Sequence, residues 1–383
     1  MDNNEYPVRD FTNTRSFPGT ADNELDTALH GFEKIQSVSN LLFALALLAV
    51  AAAFSRMDWR FGLILWGFFL LDWALLALLP VFKKSFGPAK PPTTLLVAGR
   101  SLAALLPWPV NVALQVLGTL LVIYGFWIEP HHIHVSRQKL VSNKLQPGTR
   151  LRMLHLGDLH VERLTERERQ LTHMVKSLQP DLILFSGDFL NLSYLTDPVA
   201  QAAAREVIQA WQAPLGVFAV KGSPAVDLEE SVARVLEGLP IKLLEQDVVT
   251  LGVGEDAIRI AGLTCSHKPF VDFPLLRQML APPSDQFTIL LYHSPDLAPQ
   301  AAGLDIDLQL SGHTHGGQVR LPGLGAILTG SLYGRRFQSG KYFLGNLTLY
   351  ITRGIGMEGA GAPRVRFLCP PEITLWEIAG SNS

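Results

Sequence analysis

Apolar residues crowd between Val38 and Ile128 and thereafter recur only in short bursts. Three of the crowded runs are long enough to cross a hydrocarbon core: Val38–Phe54 (just long enough), Phe61–Phe82 and Val110–Ile128. Trp59, Trp66 and Trp73 lie near the ends or on the lipid face of the second run. Asp72 interrupts it, and a carboxylate at that depth needs a partner or water. It is read either as a polar contact between helices or as a protonated or interface-facing side chain, the second being the simpler account. A further stretch, Thr93–Leu106, carries Arg100 and stops at Pro107-Trp108-Pro109. Its shortness and its charge predict an interfacial or re-entrant helix. The pattern therefore predicts three crossings over 38–130, with four as the rival count.

Beyond these runs the pattern changes. Residues 1–37 are polar and mixed in charge, without the basic start and small-residue cleavage site of a secretory leader, and are read as a polar tail. His131–Arg150 is polar and ends close to a Pro-Gly pair, which predicts a stem or linker over 131–150. From Leu151 onward strand-like bursts alternate with amphipathic stretches. Leu151–Leu156, Asp181–Ser186, Leu215–Val220, Ile258–Leu263, Phe287–Tyr292 and Leu308–Leu310 read as strands, and Thr165–Ser177 and Val199–Trp211 as covering helices. This is an α/β arrangement, in which loops at the C-terminal ends of strands gather the chemistry.

Composition refines this division. A length of 383 residues accommodates two domains, and 17% charged residues with a positive mean hydropathy fits a chain whose first third lies in a membrane. Such a chain is expected to be an integral protein of the cell membrane with membrane lipids as partners. The basic residues do not orient it. Lys83, Lys84 and Lys90 share one side with the N-terminus, while Arg56, Arg60, Arg137, Lys139 and Lys144 fall on the other, a near balance. A net charge of -2 argues against a dedicated nucleic-acid binder. Cys265 and Cys369 form no CxxC pair, so thiolate metal sites are unsupported.

The chemistry lies directly after the strands. The first is followed by Gly157-Asp158-Leu159-His160, the second by Gly187-Asp188, the fifth by His293 and the sixth by Gly312-His313-Thr314-His315-Gly316-Gly317. Alternation in Asp158-x-His160 and His313-x-His315 turns both members of each pair toward one place. Taken singly, an Asp there is a turn or cap and a His merely hydrogen-bonded. Together, nitrogen and oxygen donors without a thiolate suit two divalent ions, Mn²⁺, Fe or Zn²⁺, that share a carboxylate and clamp a phosphoryl group.

These motifs resemble the calcineurin-like metallophosphoesterase superfamily over roughly Leu151–Ile378. The GHTHGGQ string, with the run Arg364-Val365-Arg366 to Pro370-Pro371-Glu372, resembles its membrane-linked branch of YkuE- and YaeI-type phosphodiesterases and LpxG-type UDP-2,3-diacylglucosamine diphosphatases. The resemblance implies a four-layer α/β/β/α sandwich over 151–383. It implies that Asp158, His160 and His315 hold a first metal, that Asp188 bridges, and that His293 and His313 hold a second. It further implies attack on phosphorus by a metal-bridging hydroxide, with Asp188 central to catalysis.

One motif departs from the family. Where the family has Gly-Asn-His-Asp or Gly-Asn-His-Glu, this chain has Gly222-Ser223-Pro224-Ala225. Ser223 offers the second metal a weak hydroxyl and Pro224 donates no proton, so poor leaving groups should react slowly. Three outcomes stay open: Asp227 turns inward as a ligand rather than capping a surface helix, His267 supplies the missing acid, or the site only binds metal or phosphate. Asn191, Arg335, Arg336 and Arg353 are further phosphate contacts to test against turn and salt-bridge roles. The leading reading is a membrane-anchored hydrolase of a phosphodiester or pyrophosphate on a lipid or envelope substrate such as UDP-2,3-diacylglucosamine. The alternative is a degenerate membrane sensor.

Overall fold

The computed structural model describes residues 6–20, 23–55 and 58–381. Arg56, weighed above for orientation, lies outside the described residues, as do 1–5 and 21–22 of the segment read as a tail. Elsewhere that segment is built into the molecule. Helix α1 (Glu24–Glu33) starts on Asn23, whose side chain accepts the N–H groups of Leu25 and Asp26. Before it, Tyr6 stacks on Phe337 at 5.3 Å and Phe11 meets Tyr333 at 5.4 Å.

Four helices follow: α2 (Asn40–Phe54), α3 (Trp59–Leu78), α4 (Lys90–Ala103) and α5 (Trp108–Val122), the last running on through a wide turn at Ile123–Ile128. In α2 and α3 apolar residues cover the whole circumference, so one face packs inward through Phe43, Leu47, Leu65 and Phe69 and the rest faces outward. Trp59–Leu78 and Trp108–His131 have the length and hydropathy of a bilayer span. Helix α2 alone, at 15 residues, is about 22 Å long and qualifies only together with the preceding helical segment, from which it bends by 105°.

Asp72 has a partner. Arg100 on α4 donates to both of its carboxylate oxygens, Nε to Oδ2 at 2.5 Å and Nη2 to Oδ1 at 2.7 Å. It also donates to the Gln115 carbonyl at 2.7 Å and to Thr119 Oγ1 at 2.8 Å. The polar contact between helices, rather than the lone or interface-facing carboxylate, is therefore what the fold contains. Two residues that each interrupt an apolar run are legible only as a pair.

The remainder is a sandwich of two sheets. In the first, β1 (His134–Ser142), β14 (Glu372–Gly380), β2 (Arg150–Leu156), β3 (Leu182–Phe185), β4 (Val217–Ala219) and β5 (Ile241–Leu243) lie side by side in that order. In the second the order is β12 (Gly340–Leu344), β13 (Leu347–Ile351), β9 (Leu308–Ser311), β8 (Phe287–Leu291), β7 (Asp256–Leu263) and β6 (Gln246–Val253). A short hairpin, β10 (Arg320–Leu321) and β11 (Gly325–Ala326), projects beside them. Alternation sets the layers. Leu182 and Leu184 join Ile289, Leu291 and Leu310 between the sheets, while Ile183 and Phe185 turn to helices α6 (Glu166–Leu178) and α7 (Pro198–Gln209). On the far side Leu263, Leu290 and Ile351 meet helix α9 (Pro269–Met279), with α8 (Glu229–Leu236) in the other outer layer. The expected strands and helices all appear, with ends shifted by a few residues.

The expected linker is a strand instead. His134–Ser142 pairs in parallel with β14 from His134↔Glu372 to Ser142↔Gly380. A sheet edge formed by a partner more than two hundred residues away leaves no local signature beyond modest alternation. The fold thus ties the last apolar helix directly into the first sheet.

The buried Asp72–Arg100 pair gives a test. Arg100→Leu leaves Asp72 uncompensated, which commonly costs about 3–5 kcal/mol, whereas an apolar replacement of both partners is often neutral. In detergent the single variant should melt well below the parent, and Asp72→Leu with Arg100→Leu should recover most of the loss. Equal melting of all three would show that the pair does not hold the helices together.

Candidate metal centre

Six strand ends converge between the sheets. The turn after β2 brings Asp158 and His160, that after β3 Asp188, that after β4 Ser223, that after β7 His267, that after β8 His293 and that after β9 His313 and His315. Ligand atoms of Asp158, His160, Asp188 and His315 lie within 4.8 Å of one another, and so do those of His267, His293 and His313. The two groups adjoin: Asp188 Oδ2 is 3.4 Å from His160 Nε2 and 3.3 Å from His293 Nε2.

Local backbone geometry makes this convergence. Asp158, His160, Asp188, His267, His313 and His315 all have left-handed φ, six of the eleven such non-glycine residues among the described residues. Each such residue costs about 1–3 kcal/mol and persists only where the surroundings enforce it. Gly312 shows why small residues flank the ligands, since a Cβ there would lie 2.6 Å from Asp158 Oδ2.

Partners fix each donor. The Asp158 Oδ1 atom accepts the His313 N–H at 2.8 Å, and Asp188 Oδ1 accepts the Ser223 N–H at 2.7 Å. Nδ1 of His293 lies 2.8 Å from the Ser186 carbonyl and therefore carries its proton, which leaves Nε2 as the free donor. In the same way Nε2 of His313 lies 3.0 Å from the Gly330 carbonyl, which frees Nδ1. Such outer contacts are what orients imidazoles toward an ion.

The residues fit divalent metal. Asp158 Oδ2, His160 Nδ1 and His315 Nδ1 are buried without a hydrogen-bond partner, and His160 Nε2 faces His315 Nε2 at 3.0 Å. Burial disfavours imidazolium at His160 and His293, yet the Asp188 carboxylate outweighs it and raises both to about 9. Burial, followed by the charges of neighbouring rings, holds His267 and His315 well below the usual range. The centre thus combines an anion that attracts positive charge with neutral nitrogens ready to share a cation.

The residues on trial separate clearly. His267 enters the centre, with Nε2 3.1 Å from Ser223 Oγ and its ring 4.3 Å from that of His313. Ser223 Oγ also lies 3.1 Å from His293 Nε2 and 3.4 Å from His313 Nδ1. Asp227 is neither a surface cap nor a ligand. Its buried carboxylate accepts the N–H groups of Gly222 (2.7 Å), Asp188 (2.8 Å) and Phe189 (2.8 Å), clamping two ligand loops together. Asn191 holds a turn, donating to the Met357 carbonyl and accepting from Ser193. Arg353 pairs with Glu372 at 3.1 Å, and Arg335 and Arg336 sit in a short turn, Gly334–Arg336, that contributes nothing to the two ligand groups.

Sequence reasoning missed the N-terminal segment at this site. Phe17 is buried, with Lys268 over its ring, and the Gly19 carbonyl accepts the Ala225 N–H at 3.1 Å. A Cβ on Gly19 would lie 2.6 Å from His267 Nε2 and 2.8 Å from Ser223 Oγ. The Phe17-Pro18-Gly19 turn was its sole local signal. Together with the ligands this segment lines a cavity of about 470 Å³.

A sandwich whose strand ends gather these donors defines a metal-dependent phosphoesterase, and comparison with known proteins agrees. The family model described as calcineurin-like phosphoesterase matches residues 151–317. The uncharacterized metallophosphoesterase YkuE of Bacillus subtilis is 30% identical over 271 residues, covering 68% of this chain and 90% of that protein. The chain belongs to the calcineurin-like metallophosphoesterase family. Phosphodiesterase YaeI of Escherichia coli is 25% identical, covering 67% of this chain and 92% of YaeI. UDP-2,3-diacylglucosamine pyrophosphatase LpxG of Chlamydia trachomatis is 24% identical, covering 66% and 91%. The branch expected from the sequence is thus the one matched.

Asp227 supplies the test of this construction. Asp227→Ala would strand three buried N–H donors, each worth about 1–3 kcal/mol. It should lower the melting temperature and reduce metal-dependent turnover at least tenfold, with Asp227→Asn intermediate because one acceptor oxygen remains. Unchanged turnover in the Ala variant would show that the clamp does not position Asp188.

Proposed function

We propose that this chain is a membrane-anchored two-metal phosphoesterase that hydrolyses a phosphodiester or pyrophosphate bond of a lipid-linked substrate. The adjoining of the Asp158, His160, Asp188 and His315 group with the three-histidine group carries this reading. In it Asp158, His160 and His315 hold one ion, Asp188 reaches both, and His293 and His313 hold the other. His267 completes the second set in place of the asparagine that the family has at the position of Ser223. Its nitrogen is drawn into the cluster, its backbone shares the left-handed geometry of the other ligands, and Ser223 Oγ stays beside it. Divalent ions held there would polarise phosphoryl oxygens and lower the pKa of water.

The chain's own residues do the rest. The Ser223 N–H and the His313 N–H hold the two carboxylates so that Asp188 faces both ligand groups. No imidazole stands at Pro224, so leaving groups that require a proton should react about 10²–10⁴-fold more slowly than activated ones. This substrate profile, rather than inactivity, is the expected result of the altered motif.

The two helices long enough to cross a bilayer, or three spans if the bent pair counts as one, support the anchor. The domains in this reading are a membrane part over 38–130 and a catalytic part that begins with β1 at His134. The activity for which the chlamydial relative is named makes UDP-2,3-diacylglucosamine the first natural compound to try. The second reading, a degenerate sensor, rests on Ser223-Pro224 alone, and the inward position of His267 weakens it.

Hydrolysis of bis(p-nitrophenyl) phosphate by the detergent-solubilised protein tests the function. Turnover should require added Mn²⁺ and vanish in Asp188→Asn. His267→Ala should retain one tightly held ion and lose the second, read as metal per chain after dialysis. Full loading of that variant with reduced turnover would return His267 to the role of an acid. No turnover of the parent, with metal well below two per chain, would leave the sensor.

A further inference from the structure

A second cavity, of about 520 Å³, opens between the helical part and the catalytic part. Leu96 and Gly99 of α4, Leu117 and Leu121 of α5, and Leu321 and Phe367 of the catalytic loops form much of its wall. Its polar side chains, Arg100 and Gln115, are bonded to each other (3.1 Å), and Arg100 is further engaged by Asp72. They offer nothing to a polar ligand. The cavity adjoins the one that contains Asp188, His313 and His315: Leu95, Val319, Pro363 and Val365 line both. Only these apolar side chains stand between the crevice and the metal centre.

From this adjacency the geometry points to a binding site for one acyl chain of the substrate, with its phosphate at the metal centre and its chain between α4 and α5. The inference rests on the phosphoesterase reading and adds where the lipid lies. Three features favour an acyl chain over another occupant. The wall is apolar with no unpaired hydrogen-bonding group aimed inward, as an alkyl chain requires. Its sides belong to α4 and α5, the second of which continues as a helix long enough to span a bilayer, so a chain enters sideways from the lipid phase. Beside the metal cavity the turn between β10 and β11 exposes Leu324, and the segment after β11 exposes Ile327 and Leu328, the last by 69%. That apolar tip would set the mouth of the crevice against the same lipid phase.

Gly99 allows a selective block. A Cβ built there meets nothing within 4 Å, so Gly99→Phe adds a ring to the crevice without a backbone clash. It lies in α4, away from every residue placed in the metal centre. For the parent, p-nitrophenyl alkyl phosphates of increasing chain length should show KM falling about fourfold per added methylene, the roughly 0.8 kcal/mol of a buried CH₂, until the crevice is full. Gly99→Phe should abolish that trend, weakening a dodecyl ester at least tenfold relative to the parent, while turnover of bis(p-nitrophenyl) phosphate is unchanged. A second filling variant, Leu117→Trp, should act alike.

A chain-length trend preserved in both variants would overturn the proposal, as would its absence in an active parent. Should the parent hydrolyse none of these esters, the phosphoesterase reading fails separately and binding decides the site. Hexadecyl phosphate with a diazirine at its chain end should then label residues 95–103 and 117–126 in the parent and not in Gly99→Phe. Labelling spread equally over α2 and α3 would mark ordinary lipid contact and overturn the acyl site.

Discussion

Two carboxylates, Asp158 and Asp188, are buried at the centre of this protein within reach of four imidazoles, and the architecture around them answers that charge. Buried carboxylates without compensation are untenable at neutral pH, where they either take up protons or bind cations. Here burial pushes Asp158 up to about 6, with Asp188 adding to the push, while His293 and His160 hold Asp188 well below the usual range. Asp188 lies between the two groups of donors, 3.4 Å from His160 Nε2 and 3.3 Å from His293 Nε2, while Asp158 accepts the His313 N–H within the first group.

Keeping those donors together requires a frame stiff enough to hold left-handed backbone at six of them. Parallel strands aim the loops, glycine at 187 and 312 lets them approach, and the Asp227 carboxylate ties the loop after β3 to that after β4. Ser223 stands where the family has its asparagine, and the same frame brings His267 beside it from a different strand end, after β7. The sheets point both loops at one place.

This also explains which parts of the molecule could be read from the sequence. The strands that end in ligands are short and apolar, and each is followed at once by its chemistry, so Asp158, His160, Asp188, His293, His313 and His315 were legible from neighbouring residues alone. What required a distant partner was not. His134–Ser142 passes for a linker until β14 is set beside it, and Asp72 looks isolated until Arg100 arrives 28 residues later. Asp227 follows the same rule: next to Glu229 and Glu230 it has the context of a surface cap, and only the fold brings Gly222, Asp188 and Phe189 onto its oxygens. The passage of Gly19 against Ser223 and His267 depends on a partner more than two hundred residues away and left no trace in periodicity.

The seam between helices and sandwich carries the same logic into function. Glu162, two residues after His160, accepts the Phe86 N–H at 2.8 Å and the Ser85 hydroxyl at 3.1 Å from the loop before α4. It also receives Arg364 Nε at 2.9 Å, and Arg364 in turn binds the Ala360 and Ala362 carbonyls. At the end of α5, Glu129 accepts the backbone N–H groups of Leu368 (2.9 Å) and Cys369. A buried carboxylate held by a guanidinium keeps its charge, and Glu162 is accordingly lowered although burial opposes it, with Arg364 the leading cause. Its contribution to stability is thus complete above the ordinary Glu range and lost as pH falls through the lowered value. Because these bonds start within two residues of His160, the helices are fixed to the candidate metal centre rather than tethered by a flexible stem. A crevice shared between them keeps one position relative to the phosphate site, which is the condition for chain and headgroup to be recognised together.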